Sequence, residues 1–381
     1  MTDEKYMRLA IELAQKGCGW VSPNPMVGAV IVKDGRISGQ GYHKRYGSLH
    51  AEREALGDCM KRAGAETGAR RPAEGADMYV TLEPCCHHGK QPPCTEAIIE
   101  AGIRKVIIGS ADPNPLVAGK GVAMLREHGV EVTEGFLKDE CDSFNRPFFY
   151  FITNGTPYVV LKYAMTADGK IAAHTGASKW ITGEAARENV HRDRNRYTAI
   201  MTGVGTVLAD DPLLTCRIRG GRDPVRIICD TSLRIPSGSQ IVKTAGDVRT
   251  MIATSEEAAV ERVAERRRLE EAGCEIITVP LKDGHTDLGC LMERLGEMKI
   301  DSVLLEGGAA LNWSALSAGI VNRVQAYVAP KILGGKDAPS PVGGRGFDMP
   351  SEAVMLSEPE VTVLGKDILL ESEVLETCSR G

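Results

Sequence analysis

Residues 78–101 read MYVTLEPCCHHGKQPPCTEAIIEA, and this stretch decides the class of the fold. Residues 78–82 form an apolar, β-rich run that predicts a strand, and residues 95–101 carry the periodicity of a helix. Pro84, Cys85, Cys86, His87, His88 and Cys94 lie between them. A strand that passes through such a loop into a helix belongs to an α/β domain, and the junction is a natural place to collect ligand side chains.

Outward from this stretch the same alternation continues. Residues 5–16 place Tyr6, Leu9, Ala10 and Leu13 at helical spacing, with Gly17 and Gly19 to end the helix. Residues 27–33 and 36–41 predict two strands joined by Asp34-Gly35, a hairpin signal. A helix is expected over 50–62, and strands over 105–109 and 130–132. Near residues 144–156 the aromatic run Phe148-Phe149-Tyr150-Phe151 gives way to Asn154-Gly155-Thr156-Pro157, which predicts a boundary between domains 1–147 and 148–381. Beyond it, strands are expected over 158–164, 199–203, 225–230, 250–254, 275–279, 302–306, 323–329 and 368–373, with a long helix over 256–272, so the second domain is also α/β.

The composition agrees with this division. At 381 residues the chain exceeds the size at which one core keeps growing. A net charge of -5 with only 5% aromatic residues supplies neither a basic footprint nor stacking platforms for nucleic acid, so no nucleic-acid partner is expected. The N-terminus has no basic stretch followed by an apolar run, and no segment is apolar for the ~20 residues that span a bilayer, so a cytoplasmic protein without a membrane partner is expected. Eleven cysteines, an odd number without a secretory signal, predict reduced thiols, and the cluster at 85, 86 and 94 then becomes informative.

His50, Cys85 and Cys94 offer one imidazole and two thiolates, a set suited to tetrahedral zinc with one position left for water. Glu52 fits the same helical turn as His50. A carboxylate there suits the transfer of protons from an activated water to a departing amine. The general pattern of zinc nucleobase deaminases is H-x-E followed by P-C-x-x-C; here eight residues separate the cysteines. Cys86, His87 and His88 are therefore rival ligands. Cys94 is preferred because it directly precedes a helix and because adjacent cysteines rarely face one metal.

The string TLEPCCHHGKQPPC, with Asn24-Pro25-Met26-Val27-Gly28-Ala29-Val30 upstream, resembles the deaminase domain of bifunctional riboflavin biosynthesis proteins. That resemblance implies a cytidine-deaminase-like α/β/α domain in which His50, Cys85 and Cys94 hold zinc and Glu52 is the catalytic proton shuttle. It also implies a phosphoribosylated diamino-pyrimidinone substrate, with Asn24, His43 and His87 or His88 as candidate contacts.

The second half lacks a G-x-G-x-x-G between strand and helix and is not an ordinary Rossmann domain. Residues 161–172, 178–182, 203–215 and 304–308 together resemble the reductase domain of the same bifunctional proteins. This implies a dihydrofolate-reductase-like α/β domain that uses NADPH. The positions implied for NADPH are Ala164, Trp180, Thr206, Asp210, Thr231, Gly308, Ala309, Ala310, Leu311, Asn312, Trp313 and Ser314. Those implied for substrate are Ser178, Arg194, Leu214, Arg217 and Glu306. Lys162 and Glu306 are candidates to assist protonation, and Asp168 fits a turn before Gly169. Gly307 and Gly308 suit either phosphate approach or a packing turn. A homo-oligomer is expected. A general nucleotide or RNA-editing deaminase and a catalytically empty ligand sensor are the competing readings.

Overall fold

A computed structural model describes residues 3–64, 71–87, 91–115 and 117–375, and the chain divides into two compact units after Gly155. His88 and Lys90 lie outside the described residues. The first unit contains β1 (Gly28–Lys33), β2 (Arg36–Tyr42), β3 (Asp77–Leu82), β4 (Lys105–Ser110) and β5 (Glu131–Thr133) in the order β2-β1-β3-β4-β5. β1 runs antiparallel to both β2 and β3, whereas β3, β4 and β5 are parallel. Asp34 and Gly35 both have positive φ, 50° and 72°, which is what the two-residue hairpin between β1 and β2 requires.

Period-two alternation sends the strands' side chains to two cores. Ala29, Ile31, Met78, Val80, Val106 and Ile108 pack with Ala51, Ala55, Ile98 and Leu125 on one face. Val30, Val32, Tyr79 and Ile107 pack with Met7, Ala10 and Ile11 of the helix Asp3–Gln15 on the other. The unit is thus a three-layer α/β/α sandwich. The helix Ala51–Gly64 lies close on β2: a Cβ at Gly39 would come within 2.4 Å of the Ala55 carbonyl oxygen, and one at Gly41 within 2.4 Å of the Ala55 nitrogen. These two glycines set the depth at which the helix carrying Glu52 is seated. The helix Arg146–Asn154, with Phe148 in the core, closes this unit.

The second unit holds β6 (Tyr158–Thr166), β7 (Ala199–Gly203), β8 (Val225–Cys229), β9 (Thr250–Ser255), β10 (Cys274–Val279), a small hairpin of β11 (Leu281–Lys282) and β12 (His285–Thr286), then β13 (Ser302–Leu305), β14 (Arg323–Ala329), β15 (Glu360–Leu364) and β16 (Asp367–Glu373). Nine strands form one sheet in the order β10-β9-β8-β7-β13-β6-β14-β16-β15, parallel from β10 to β14 and antiparallel at β16 and β15. Helices cover both faces, and the carboxyl ends of β7, β8 and β13 open together onto one edge, where ligands of such sheets bind.

One expectation for this unit is corrected, and the edge strand β15 is additional to those expected. The long helix over 256–272 is two helices, Glu256–Glu261 and Val263–Glu271, because Arg262 leaves helical geometry at φ -105°, ψ 48°. The edge strand β15 lacks the buried-face alternation that marks a strand in sequence: Val361 and Val363 are both exposed.

Candidate active sites

In the first unit, β3 and two helix starts converge. The His50 carbonyl accepts the Glu54 N–H at 3.0 Å, so the imidazole sits on the N-terminal edge of the helix Ala51–Gly64 with Glu52 in its first turn. Cys85 follows β3, and Cys94 begins the helix Cys94–Glu100 and donates its backbone N–H to the Cys85 sulfur at 3.4 Å. The His50 Nδ1 lies 3.5 Å from Cys85 Sγ and 3.4 Å from Cys94 Sγ. All three ligand atoms fall within 4.8 Å of one another. Bond lengths of about 2.0 Å to nitrogen and about 2.3 Å to sulfur give a tetrahedral edge of about 3.5 Å, so this donor set fits zinc. Cys86 is not part of that cluster.

Glu52 is 3% exposed, and burial, followed by the neighbouring Cys85 thiolate, pushes its carboxyl above the usual range. The Cys85 thiol is held down to about 4, first by the Cys94 hydrogen bond and then by His50. The Cys94 thiol is pushed up by its hydrogen bond to Cys85 and then by burial, so the two sulfurs share a proton that a metal would displace, while the raised Glu52 carboxyl suits a group that must hold a proton.

Beside the cluster opens a cavity of about 270 Å³ lined by Asn24, His43, Glu52, His87, Asp112 and Asn114, among others. His43 is buried and burial lowers its pKa, which keeps it neutral. Its Nδ1 donates to the Leu49 carbonyl at 3.0 Å, which leaves Nε2 to accept from the Asn24 amide at 3.2 Å. The two side chains are therefore oriented as a pair. His87 also lines the cavity, with a buried Nδ1 that has no hydrogen-bond partner among the described residues.

Asp112 and Asn114 escaped the reading of the sequence. Asp112 is 7% exposed, accepts the Asn114 N–H at 2.9 Å, and is pushed up to about 6 by burial, with Glu83 and Cys85 adding to the effect. The signal that finds them is Asp112-Pro113-Asn114-Pro115 directly after β4, a polar turn at the carboxyl end of a parallel strand.

In the second unit a cavity of about 560 Å³ sits at the carboxyl ends of β7, β8 and β13. Thr206, Asp210, Thr231, Gly308, Ala309, Ala310, Leu311 and Ser314 line it, together with Ser178, whose hydroxyl reaches Asp210 at 3.4 Å. The helix Ala309–Ser317 starts at Gly308, which lends no side-chain cap to its first-turn N–H groups, and Gly205 nearby has open space among the described residues where a Cβ would stand. Bare backbone and open N–H groups fit a dinucleotide pyrophosphate. Gly307 lines the cavity as well, and it also serves packing, since a Cβ there would meet Asn312 Oδ1 at 2.5 Å.

Other expected positions fall elsewhere. Asn312 is fully buried and donates to the Pro341 carbonyl at 2.8 Å, and Trp313 packs on Phe347 with ring centroids 5.2 Å apart. Trp180 is 61% exposed beneath the Arg187 guanidinium, Ala164 packs near Tyr327, and Leu214 is in the core. None of these five lines the cavity. Asp168 accepts the Leu333 and Gly334 N–H groups at 3.1 and 2.7 Å, which pins two loops together in addition to making its own turn.

Arg194, Glu306 and Lys162 form a buried ion cluster. Arg194 donates Nε and Nη2 to the two Glu306 oxygens at 2.7 and 3.1 Å and Nη1 to the Thr215 carbonyl at 3.1 Å, while Lys162 Nζ lies 3.3 Å from Glu306 Oε2. Arg194 thus directs its fork at protein acceptors, whereas Arg217 is exposed. Burial works against the Glu306 charge, but Arg194 and Lys162 overcome it and hold the carboxyl down to about 2. A carboxyl depressed in the folded state stabilises above its unfolded pKa and loses that contribution as pH falls through the folded value, here from about 4.5 to about 2. Glu306→Gln is therefore expected to destabilise the second unit at pH 7, by an amount on the order of 3 kcal/mol. The same substitution should flatten the acid limb of stability below pH 4.5, which thermal melts from pH 3 to 8 check.

Comparison with known proteins adds independent findings. The family described as RibD C-terminal domain matches residues 157–370, and the one described as cytidine and deoxycytidylate deaminase zinc-binding region matches residues 1–110. A riboflavin biosynthesis protein RibD from Actinobacillus pleuropneumoniae is 52% identical over 98% of this chain and 96% of its own length. The structure of Acinetobacter baumannii RibD, form 1, superposes with a TM-score of 0.84 at 36% identity, covering 98% of this chain and 99% of that one. A Thermotoga maritima diaminohydroxyphosphoribosylaminopyrimidine deaminase/5-amino-6-(5-phosphoribosylamino)uracil reductase superposes at 0.82, with 40% identity and 98% of each chain covered.

Proposed function

This chain belongs to the RibD family of riboflavin biosynthesis proteins and is a zinc-dependent deaminase and NADPH-dependent reductase; on that premise we propose which residues carry each step and in what order. The first unit, in this reading, deaminates 2,5-diamino-6-(5-phosphoribosylamino)pyrimidin-4(3H)-one. The second reduces the ribosyl side chain of the resulting 5-amino-6-(5-phosphoribosylamino)uracil to a ribitylamine. The observation that carries the first assignment is the meeting of His50, Cys85 and Cys94 beside a cavity that Glu52 enters.

His50, Cys85 and Cys94 are assigned to hold the metal, which supplies Lewis-acid activation of water when bound. Glu52 takes a proton from the attacking water and delivers it to the departing amine, so that water oxygen replaces the 2-amino group and ammonia leaves. Neutral His43 and Asn24, locked to one another, present hydrogen-bonding groups to the pyrimidinone. Asp112 and Asn114 face the same space and are assigned to substrate as well.

In the second unit NADPH supplies the hydride when bound, and the reduced sugar also requires a proton. Glu306, held ionised by Arg194 and Lys162, has none to give near neutral pH. Lys162, whose Nζ lies 3.3 Å from that carboxylate, is assigned as the donor. Lys162→Met is expected to lower the reductase kcat by roughly 10²- to 10⁴-fold, with NADPH affinity and ammonia release unchanged. Stopped-flow NADPH oxidation on the deaminated product measures it. Ser178 and Arg217 complete the substrate assignment, with the exposed Arg217 as the guanidinium available to the sugar phosphate.

The order of steps has its own test. Purified protein given the diamino-pyrimidinone should release ammonia without NADPH and oxidise NADPH only after ammonia has appeared. NADPH oxidation that precedes ammonia release would reverse the order. Among the described residues no helix is long and apolar enough to cross a membrane; the protein is further read as a cytoplasmic homo-oligomer acting on small molecules, which cell fractionation and light scattering check.

A further inference from the structure

NADPH differs from NADH only by the phosphate on its adenosine ribose, a group of nearly two negative charges, so a site that prefers NADPH needs a cation at that position. The inference here rests on the reading of the 560 Å³ cavity as the NADPH site. Among the described residues that line it, Arg234 is the one Lys or Arg. We propose that Arg234, assisted by the Thr231 hydroxyl, binds the 2′-phosphate and is the residue that makes this reductase select NADPH over NADH.

The turn that follows β8 presents Arg234 in a defined way. The Leu233 N–H bonds the Asp230 carbonyl at 3.2 Å, and the Ile235 N–H bonds the Asp230 carboxylate at 2.7 Å. Leu233 and Ile235 are buried at 1% and 6% exposure, whereas the Arg234 side chain between them is 58% exposed. A turn anchored on both sides of one residue aims that residue outward without fixing its end. The nearest carboxylate oxygen, Asp230 Oδ1, is 3.8 Å away, too far for a hydrogen bond. Asp230 itself is fully buried and does not line the cavity, so it lends the guanidinium orientation while leaving its donors for another acceptor.

Thr231 is placed to help. Its Oγ1 accepts the Thr286 N–H at 3.2 Å, which ties the turn to the hairpin of β11 and β12 and leaves the hydroxyl proton to donate. The spacing also suits a dinucleotide. In the sheet order β8-β7-β13, the turn after β8 lies two strands from the Gly307-Gly308 loop after β13. Two strand spacings are roughly 10 Å, the scale of one nucleoside between the pyrophosphate at the helix Ala309–Ser317 and a phosphate on its ribose. The bridge then meets neutral backbone N–H groups and the third phosphate meets a guanidinium, a fork that suits phosphate geometry.

The test is equilibrium binding to the full chain. NADPH and NADH are titrated separately by calorimetry into the natural protein, Arg234→Gln and Arg234→Lys, with 2′,5′-ADP and 5′-ADP as fragments. Arg234→Gln is expected to weaken NADPH and 2′,5′-ADP by roughly 10- to 100-fold, to leave NADH and 5′-ADP within about twofold, and to reduce the salt dependence of NADPH binding. Arg234→Lys, which keeps the charge and loses the fork, should fall between. Retained NADH binding shows that the variant is folded. Equal losses for both cofactors, or no loss for NADPH, would overturn the role of Arg234 alone. Failure of the natural protein to bind either nucleotide would instead overturn the reading of the cavity, and the inference with it.

Discussion

Glu52→Gln is expected to cut ammonia release by roughly 10²- to 10⁴-fold, the range for loss of a positioned general acid–base group, while the protein keeps its full zinc content. Glutamine preserves the volume and a carbonyl acceptor at a position only 3% exposed, so the sandwich around it is undisturbed. What it removes is a carboxyl able to take up and release a proton. Glu52 stands in the first turn of the helix Ala51–Gly64 and hydrogen-bonds Cys94, but it is not one of the three ligand residues His50, Cys85 and Cys94, so its loss leaves the full protein ligand set for the metal. Metal analysis and an ammonia assay on the same sample check both halves. Loss of zinc along with activity would make Glu52 a ligand, and full activity would remove it from the mechanism.

Cys94→Ser should lose zinc together with ammonia release. A hydroxyl at this position is a poor replacement for thiolate, and Cys94 sits at the helix start where its own backbone N–H bonds the Cys85 sulfur at 3.4 Å. Changes to groups that merely orient metal ligands cost about 10- to 100-fold in affinity, so loss of a ligand should weaken zinc by roughly 100-fold or more. Ammonia release should vanish, and the melting temperature of the first unit should drop because metal binding couples to folding. NADPH oxidation on the deaminated product should continue. Cys86→Ser is the matched control: it lies outside the ligand cluster and should keep zinc. If Cys86→Ser loses zinc and Cys94→Ser does not, the ligand assignment is reversed.

How much of the two sites could be read in advance varies with how local each arrangement is. His50 and Glu52 share a helical turn, and Cys85 and Cys94 flank one loop, so a short pattern of residue types already predicts their meeting. Asp112 and Asn114 join the same cavity from the end of β4, a strand whose position next to β3 is a property of the sheet order. The ion cluster is more distant still: Glu306 is 112 residues from Arg194 and 144 from Lys162. No spacing rule connects them, and only their mutual contact shows that Glu306 is ionised and that Arg194 is engaged by it. Expected cofactor positions divided for the same reason. Gly307 and Gly308 both line the cavity, but a Cβ at Gly307 would collide with Asn312 whereas one at Gly308 would meet only ordinary contact. Two adjacent glycines look alike in sequence and differ only in what the fold brings against them.

The sequence by itself determined that there are two α/β units, that the first carries a His-Cys-Cys zinc pattern with a carboxylate, and that the second is not an ordinary Rossmann domain. Those features are encoded in hydrophobic periodicity, turn residues and short motifs, all of which act within a few residues of chain. The contacts across the sheet decided which way the Glu306 carboxyl is shifted, which of two cavity-lining glycines has room for a side chain, and which cation reaches the cavity. Each of those depends on burial and on contacts across sheet order, where the local environment sets charge, access and geometry.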